Sequence, residues 1–132
     1  MTSRISHTTL ACRDAYALSE WWKGVIGYTD VPGDPNRPGH EECMLVDPVT
    51  VHRVLFIEVP DPTPGKTKMH YDLRPTDLTQ AEEVERLLAH GASLHADLRG
   101  HYGAGTGWVT LVDPEGNLFC VLRSDGELAA RD

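Results

Sequence analysis

Two histidines open matching segments of the chain. His7 begins the run HTTLACRD and His70 begins HYDLRPTD, and each run closes with an aspartate, Asp14 or Asp77. Neutral imidazole binds zinc, iron, nickel, cobalt and manganese, usually in sites that a carboxylate completes. Two imidazoles in one cavity would form a divalent-metal site, whereas a lone histidine more often donates a hydrogen bond to the backbone or caps a strand end.

Each histidine run is followed by a segment with helical periodicity. AYALSEWWKGVIG follows Asp14 and LTQAEEVERLLAHG follows Asp77, with apolar residues three and four positions apart. Asp14 and Asp77 are predicted N-caps, because an aspartate at that position can accept the free amide protons of the first turn. Gly27 and Gly91 suit the helix ends, where a residue without Cβ is favoured.

Hydrophobic segments around two Asp-Pro pairs complete the repeat. CMLVDP begins at Cys43, VTLVDP begins at Val109, and a further apolar run follows each. The stretch DPEGN at 113–117 is a turn signal between two strands. Each half therefore has the order strand, helix, strand, strand, strand. The predicted strands are Ile5–Cys12, Tyr28–Val31, Glu42–Val46, Val51–Val59, Met69–Leu73, Ser93–His95, Trp108–Val112 and Leu118–Arg123.

The repeated order predicts one α+β domain over residues 1–132. Module one spans 5–59, the linker PDPTPGKTK spans 60–68, and module two spans 69–124. A single βαβββ unit buries little surface, so we expect the two tandem modules to form a curved mixed sheet around a central cavity, with the helices on its outer face. Turn chemistry shared among unrelated α+β domains is the alternative explanation of the repeat.

Strand alternation indicates which side chains would line that cavity. The apolar faces of the first and fifth strands should pack under the helices, since side chains alternate along a strand. The opposite faces then carry His7, Thr9, His70, Asp72 and Arg74. Asp72 and Arg74 would pair with each other, or Arg74 would bind an anionic oxygen of a ligand. Both faces of the last strand in each half are apolar, so alternation leaves their orientation open.

Aromatic residues near one loop are candidates for ligand contacts. The loop Arg99–Gly107 contains four glycines, carries His101 and Tyr102, and is followed by Trp108. It lacks the strand-to-helix context of a GxGxxG nucleotide cradle. One interpretation is that these residues contact a ligand, and the other is that the loop side chains are solvated and Trp108 packs in the core.

Composition excludes some classes of partner. The net charge is −8, so we expect no binding to nucleic acid, because the phosphate backbone would be repelled. No apolar run approaches the roughly 20 residues that span a bilayer, and MTSRISHTT lacks a signal-peptide core. Three cysteines, Cys12, Cys43 and Cys120, without CxxC spacing indicate free thiols and a cytoplasmic setting.

The order of elements and two motifs resemble the vicinal oxygen chelate superfamily, of the glyoxalase, bleomycin-resistance and dioxygenase type. The most specific motif is WVTLVDPEGNLFCVL, and the next is ISHTTLACRD with WWKGVIGY. The resemblance covers the chain from Ile5 to about Arg123 and is greatest to small glyoxalase-like domain proteins. It implies a small-molecule ligand in the cleft between two modules, one divalent metal ion (Zn, Ni, Co, Fe or Mn) in the enzymes, and a homodimer.

The ligand set of that superfamily maps onto this chain with departures. Its strand-one ligands fall on His7 and His70, and its last-strand ligand, usually glutamate, falls on Cys120. Thiolate suits zinc better than magnesium or manganese. By parity with Cys120 the first module offers Phe56, which cannot bind metal, and Glu58 lies two residues further on.

Two functions remain open from the sequence. In the first, a metal-dependent enzyme, His7, His70 and Cys120 or Glu58 hold the cation, and Glu58 or Asp72 moves a proton. Lyase, isomerase, transferase or dioxygenase chemistry would fit. In the second, a metal-free binding protein sequesters a small molecule. The predicted ligand-contacting residues are Phe56, Arg74, His101, Tyr102 and Trp108.

Overall fold

The structure is a computed structural model that describes residues 2–62 and 69–130. It divides into two compact units, Met1–Thr63 and Pro64–Asp132, each with its own four-stranded sheet. The division falls inside the predicted linker 60–68, of which residues 63–68 lie outside the described residues. None of the helices in the described ranges has the length and apolar character needed to cross a membrane.

Unit one has the predicted order of strand, helix and three strands. The sheet order is β1-β4-β3-β2, with β1 and β4 parallel and the other pairs antiparallel. The predicted bounds of β3 are confirmed, whereas β1 and β4 are shorter than expected at their ends. The elements are β1 (Thr8–Cys12), α1 (Ala15–Ile26), β2 (Thr29–Asp30), β3 (Glu42–Val46) and β4 (Arg53–Glu58).

Helix α1 begins and ends where its sequence predicts. The Asp14 carboxylate accepts the Ala17 amide proton at 3.0 Å, and Gly27 ends the helix at φ 72° with its N–H on the Lys23 carbonyl. A residue with a Cβ would be strained at that φ. The buried face of the helix consists of Ala15, Leu18, Ser19, Trp22 and Val25.

Unit two repeats the order and adds a short helix. Its sheet order is β5-β8-β7-β6, with β5 and β8 parallel and the other pairs antiparallel. The tandem βαβββ arrangement and the α+β class are therefore confirmed. The last helix has no buried residue. Its sequence therefore shows no apolar periodicity from which a helix could be predicted. The elements are β5 (Tyr71–Leu73), α2 (Gln80–Ala89), β6 (Ser93–Asp97), β7 (Val109–Val112), β8 (Leu118–Val121) and α3 (Asp125–Ala130).

The predicted N-cap of α2 at Asp77 is wrong. The cap is Thr79, whose hydroxyl accepts the Glu82 amide proton at 3.2 Å, while the Glu82 carboxylate accepts the Thr79 amide proton at 2.9 Å. This reciprocal pair is a capping box, which satisfies two free amides of the first turn. At the other end Gly91 adopts φ 113°, as expected for a glycine after a helix.

Strand register shows which positions of the two units correspond when His7 is aligned with His70. Directly paired residues share a face of a sheet, and Cys120 pairs with Asp72. The counterpart of Cys120 is therefore Leu55, so the predicted equivalence of Phe56 with Cys120 is wrong. Thr8 and Val54 in unit one correspond to Tyr71 and Phe119 in unit two. Thr9 and Leu55 correspond to Asp72 and Cys120, and Leu10 and Phe56 correspond to Leu73 and Val121.

Candidate metal centre

Three side chains of unit two converge beside the parallel β5–β8 pair. His70 lies just before β5, Asp72 lies within it, and Cys120 lies opposite Asp72 on β8. Each offers one ligand atom, and the three atoms all lie within 4.8 Å of one another. His70 Nε2 and Asp72 Oδ1 lie 3.2 Å apart. The parallel register thus brings together a nitrogen, an oxygen and a sulfur donor.

The cluster is closed on the sulfur side and open on the other. Cys120 is 5% exposed, whereas the His70 and Asp72 side chains are 43% and 54% exposed. Phe119 and Val121, the neighbours of Cys120 on β8, are fully buried on the opposite face of the sheet. The Gln80 side chain of α2 donates to the Val121 carbonyl at 3.0 Å. Cys120 therefore lies on the sheet face opposite Phe119 and Val121, and the cluster is accessible from solvent through His70 and Asp72.

The environment of the Cys120 sulfur favours its protonated form when no cation is bound. The pKa of the thiol is raised, mainly by burial and further by the negative charge of Asp72. The Thr110 hydroxyl lies 3.3 Å from the sulfur, and this hydrogen bond acts in the opposite direction. Since only thiolate is a good ligand, a cation would bind by displacing the thiol proton.

The donor set fits a divalent transition metal. Imidazole nitrogen, carboxylate oxygen and thiolate sulfur are all zinc ligands, at bond lengths of about 2.0–2.3 Å. Around one tetrahedral ion such bonds place the donor atoms roughly 3.3–3.8 Å apart, so atoms that lie within 4.8 Å of one another would reach a shared ion after a small movement of their side chains. Three protein ligands with an open side are also the pattern of catalytic zinc sites, which keep one position for water or substrate.

The corresponding face of unit one carries a different set of side chains. Its positions equivalent to Asp72, Cys120 and Thr110 are Thr9, Leu55 and Met44. His7 occupies the position equivalent to His70, and its Nδ1 lies 3.0 Å from the Ser6 hydroxyl. The three-donor set therefore belongs to unit two. The predicted role of His7 as a metal ligand stays a prediction.

Phe56 and Glu58 lie on the helix side of the sheet in unit one. Phe56 is 1% exposed and packs in the core. The Glu58 carboxylate accepts the Ala15 amide proton, the first of α1, at 3.1 Å. Sequence parity placed Phe56 with Cys120 because it could not reveal register, and the structure assigns Phe56 to packing and Glu58 to the start of a helix.

The expected pair between Asp72 and Arg74 is replaced by other contacts. Asp72 contacts His70, and Arg74 Nη1 donates to the Arg123 carbonyl at 2.6 Å. Arg123 in turn donates from Nη1 to the Gly105 carbonyl at 2.6 Å. Hydrogen bonds from the Arg74 and Arg123 guanidinium groups therefore connect the residue after β5 with the glycine-rich loop.

The glycine-rich loop presents a group of aromatic rings. Tyr102 stacks on Trp108 with ring centroids 5.7 Å apart, and His101 contacts Tyr102 edge-on at 5.5 Å. Tyr102 is 67% exposed. A Cβ on Gly107 would lie 2.0 Å from the Leu98 carbonyl oxygen, so the loop closes only with glycine there. The structure thus brings together His101, Tyr102 and Trp108, three of the predicted ligand-contacting residues.

Sequence analysis missed two groups of polar contacts, one in each unit. Thr110 lies beside the Cys120 sulfur, and its position two residues after Trp108 in a strand was a usable signal of a shared face. In unit one, His52 lies 2.9 Å from the Tyr28 hydroxyl and 3.4 Å from the Thr8 hydroxyl. No local signal in the sequence joins these three, since strand pairing alone brings them together.

Comparison with known proteins gives a family and a fold. Residues 7–122 match the glyoxalase-like domain family. The fosfomycin resistance protein FosX of Listeria monocytogenes, solved as a mutant complexed with Mn(II) and 1S,2S-dihydroxypropylphosphonic acid, is 18% identical; the match covers 99% of this chain and 98% of that one at TM-score 0.66. No curated protein matches the sequence.

Two further solved structures share the fold. FosX of Mesorhizobium loti is 16% identical, with 99% of this chain and 100% of that chain covered at TM-score 0.62. A possible glyoxalase from Bacillus cereus is 16% identical, with 92% and 99% covered at TM-score 0.63. At these identities the likeness establishes the fold.

Proposed function

Because the chain belongs to the glyoxalase-like domain family of the vicinal oxygen chelate superfamily, we propose that it is a metal-dependent protein that acts on a small, oxygen-bearing molecule. The cation would be held by His70, Asp72 and Cys120. The observation that carries this proposal is the convergence of three different donor atoms at one open place in unit two. FosX has the same fold and was solved in complex with Mn(II), which supports this proposal.

The chain's own residues suggest how such a molecule would be bound. A divalent cation supplies Lewis-acid polarisation of a substrate oxygen when it is present. Substrate would approach from the side on which His70 and Asp72 are exposed. Arg74 offers a guanidinium for an anionic oxygen, and the exposed Tyr102 ring offers a surface for apolar or planar groups.

Metal content tests this proposal directly. The protein should hold one divalent ion per chain as purified or after addition of Zn, Ni, Co, Fe or Mn, measured by elemental analysis after gel filtration. His70→Ala and Asp72→Ala should lose the ion. His95→Ala is the matched control, since His95 is an exposed histidine on β6 outside the cluster.

Two outcomes would overturn the proposal. One is a wild-type chain that retains no ion from any of the five metals. The other is stoichiometric ion in both cluster variants. A His7→Ala variant measured alongside decides whether module one contributes the ligand that the superfamily resemblance implies.

A metal-free binding protein is a second candidate, and the aromatic loop favours it. Tyr102 is two-thirds exposed while stacked on Trp108, which leaves one ring face free for a planar ligand. Planar aromatic compounds should then quench tryptophan fluorescence in chelator-treated protein, and Tyr102→Ala should abolish saturable quenching. Quenching that does not saturate would exclude this candidate.

A further inference from the structure

We infer that Cys120 is a direct ligand whose sulfur makes this centre a zinc- or cobalt-type site and disfavours the Mn(II) that a fold relative binds. The inference rests on the proposed function. It goes beyond that proposal by naming the class of cation and the residue that selects it. Sulfur is a soft donor that favours zinc and related ions, whereas manganese and magnesium favour oxygen.

The position of the sulfur supports direct coordination. Cys120 is paired with Asp72 across two parallel strands, so its Sγ and the carboxylate emerge from the same sheet face. The backbone register fixes this placement, and Cys120 is 5% exposed, so it is the most buried member of the cluster. A cation touching His70 and Asp72 from the open side would therefore meet the sulfur beneath them.

A neighbouring hydroxyl lies within hydrogen-bonding distance of the sulfur. Thr110 pairs with Cys120 across the antiparallel β7–β8 ladder, and its Oγ1 lies 3.3 Å from Sγ. An outer hydrogen bond of this kind orients a ligand and tunes its charge. In unit one the equivalent positions hold Leu55 and Met44, so the arrangement is not a general product of the fold.

Unit two also offers the coordination number that zinc or cobalt prefers. The described cluster supplies three protein donors and remains open on the side of His70 and Asp72. Three ligands plus one exchangeable position give a four-coordinate site. Manganese, in contrast, is typically bound by six oxygen-rich ligands.

Cobalt substitution tests the inference in wild-type protein and in two cysteine variants. Co(II) added to wild-type protein should produce a sulfur-to-cobalt charge-transfer band in the near ultraviolet. The band should be absent from Cys120→Ser, which nearly preserves side-chain size, and present in Cys43→Ser, the matched control at another fully buried cysteine. Circular dichroism would verify that each variant is folded.

Metal competition supplies the second readout. All sites of this kind bind zinc more tightly than manganese, so the measured quantity is the change in the ratio of the two affinities. Cys120→Asp should lower the zinc-to-manganese affinity ratio by roughly tenfold or more, since loss of even an outer-shell partner costs about 10–100-fold. Cys43→Ser should leave the ratio unchanged.

The outcomes distinguish failure of this inference from failure of the proposed function. Co(II) bound by wild-type protein without a charge-transfer band, or a ratio unaltered in Cys120→Asp, would overturn the inference while the metal centre stands. A wild-type chain that binds none of Zn, Ni, Co, Fe and Mn would overturn the proposed function, and this inference with it.

Discussion

Asp97 and Arg99 form a charge pair that lowers the pKa of the aspartate well below its usual range. Arg99 donates from Nη2 to Asp97 Oδ2 at 2.7 Å and from Nε to Oδ1 at 3.0 Å, and its amide donates to Oδ1 at 3.1 Å. These hydrogen bonds, those of the guanidinium first, lower the pKa of Asp97 from 3.8 to about 2. The pair lies where β6 enters the glycine-rich loop, so it fixes the start of that loop.

The depressed pKa has a direct pH signature. Because the folded pKa lies below the unfolded one, the pair stabilises the fold above about pH 4 and loses that effect as pH falls toward 2. Both side chains are more than one-third exposed, so the contribution should stay near that of surface pairs, about 0.2–1 kcal/mol. Carboxyl NMR titration should give Asp97 a pKa of about 2 in wild type.

A variant series isolates the cause of this shift. Arg99→Ala should return the pKa of Asp97 toward 3.8, whereas Arg86→Ala, which removes a guanidinium paired with Glu83, should not change it. An Asp97 that titrates at the ordinary value in wild-type protein would show that the pair does not persist in solution.

Alternation placed His70 and Asp72 on one face, whereas Cys120 was reached only through the superfamily resemblance, and Asp72 was expected to move a proton and not to bind metal. His70 and Cys120 were predicted as ligands and Asp72 as a facing carboxylate, and the structure brings these three together. Alternation failed for Phe56, because a shift of register by one residue reverses the face on which a side chain lies. Register between distant strands depends on tertiary pairing, which no local pattern in this chain encodes.

At the scale of elements, the start of α2 shows how two plausible caps compete. Both Asp77 and Thr79 are N-cap residue types, but only Thr79 has a glutamate three residues later. Asp77 is itself followed three residues later by Gln80, so both positions fit the capping-box pattern in the sequence. The reciprocal hydrogen bonds between Thr79 and Glu82 decide for Thr79, and only the folded structure shows them.

Removal of the capping residue should destabilise the protein measurably. Thr79→Ala deletes the oxygen that accepts the Glu82 amide, and we expect a loss of about 1 kcal/mol in the free energy of unfolding by urea titration. Asp77→Ala, the matched control two residues earlier, should change it by less than about 0.5 kcal/mol. Equal losses in both variants would contradict the assignment of Thr79 as the cap.

The β3–β4 connection contains a strained valine. Val51 has φ 60°, in the left-handed region, and its N–H donates to the Asp47 carbonyl at 2.9 Å. The side chain is 69% exposed, so little burial compensates for this conformation. A β-branched residue is a poor fit there, whereas asparagine is tolerated.

Replacement of this valine should stabilise the turn. Val51→Asn should raise the free energy of unfolding by about 1 kcal/mol, since left-handed geometry costs an ordinary residue about 1–2 kcal/mol. Val49→Asn is the control, because Val49 is 87% exposed in the same turn and does not have a positive φ. If the two variants shift the denaturation midpoint alike, strain at Val51 is not relieved.

For the whole molecule, the repeated order of elements was the most predictable property. Both units have the order strand, helix, strand, strand, strand. Their sheet orders, β1-β4-β3-β2 and β5-β8-β7-β6, correspond strand for strand. Shared backbone order did not preserve shared chemistry, since Asp72 and Cys120 correspond to Thr9 and Leu55. A duplicated fold can thus keep its packing pattern in both copies while one copy holds the full donor set.

Assembly is the remaining property of the whole chain that the superfamily resemblance predicts. Large apolar side chains remain exposed, among them Ile5 at 81%, Val49 at 87% and Met69 at 81%. Single exposed apolar side chains are common on monomers, so the expectation of a dimer rests on the superfamily resemblance, and the net charge of −8 opposes nonspecific aggregation. We therefore expect a homodimer, with light scattering giving twice the 14.6 kDa of one chain and the same mass across a concentration series. A mass of 14.6 kDa at every concentration would show instead that these side chains remain exposed in a monomer.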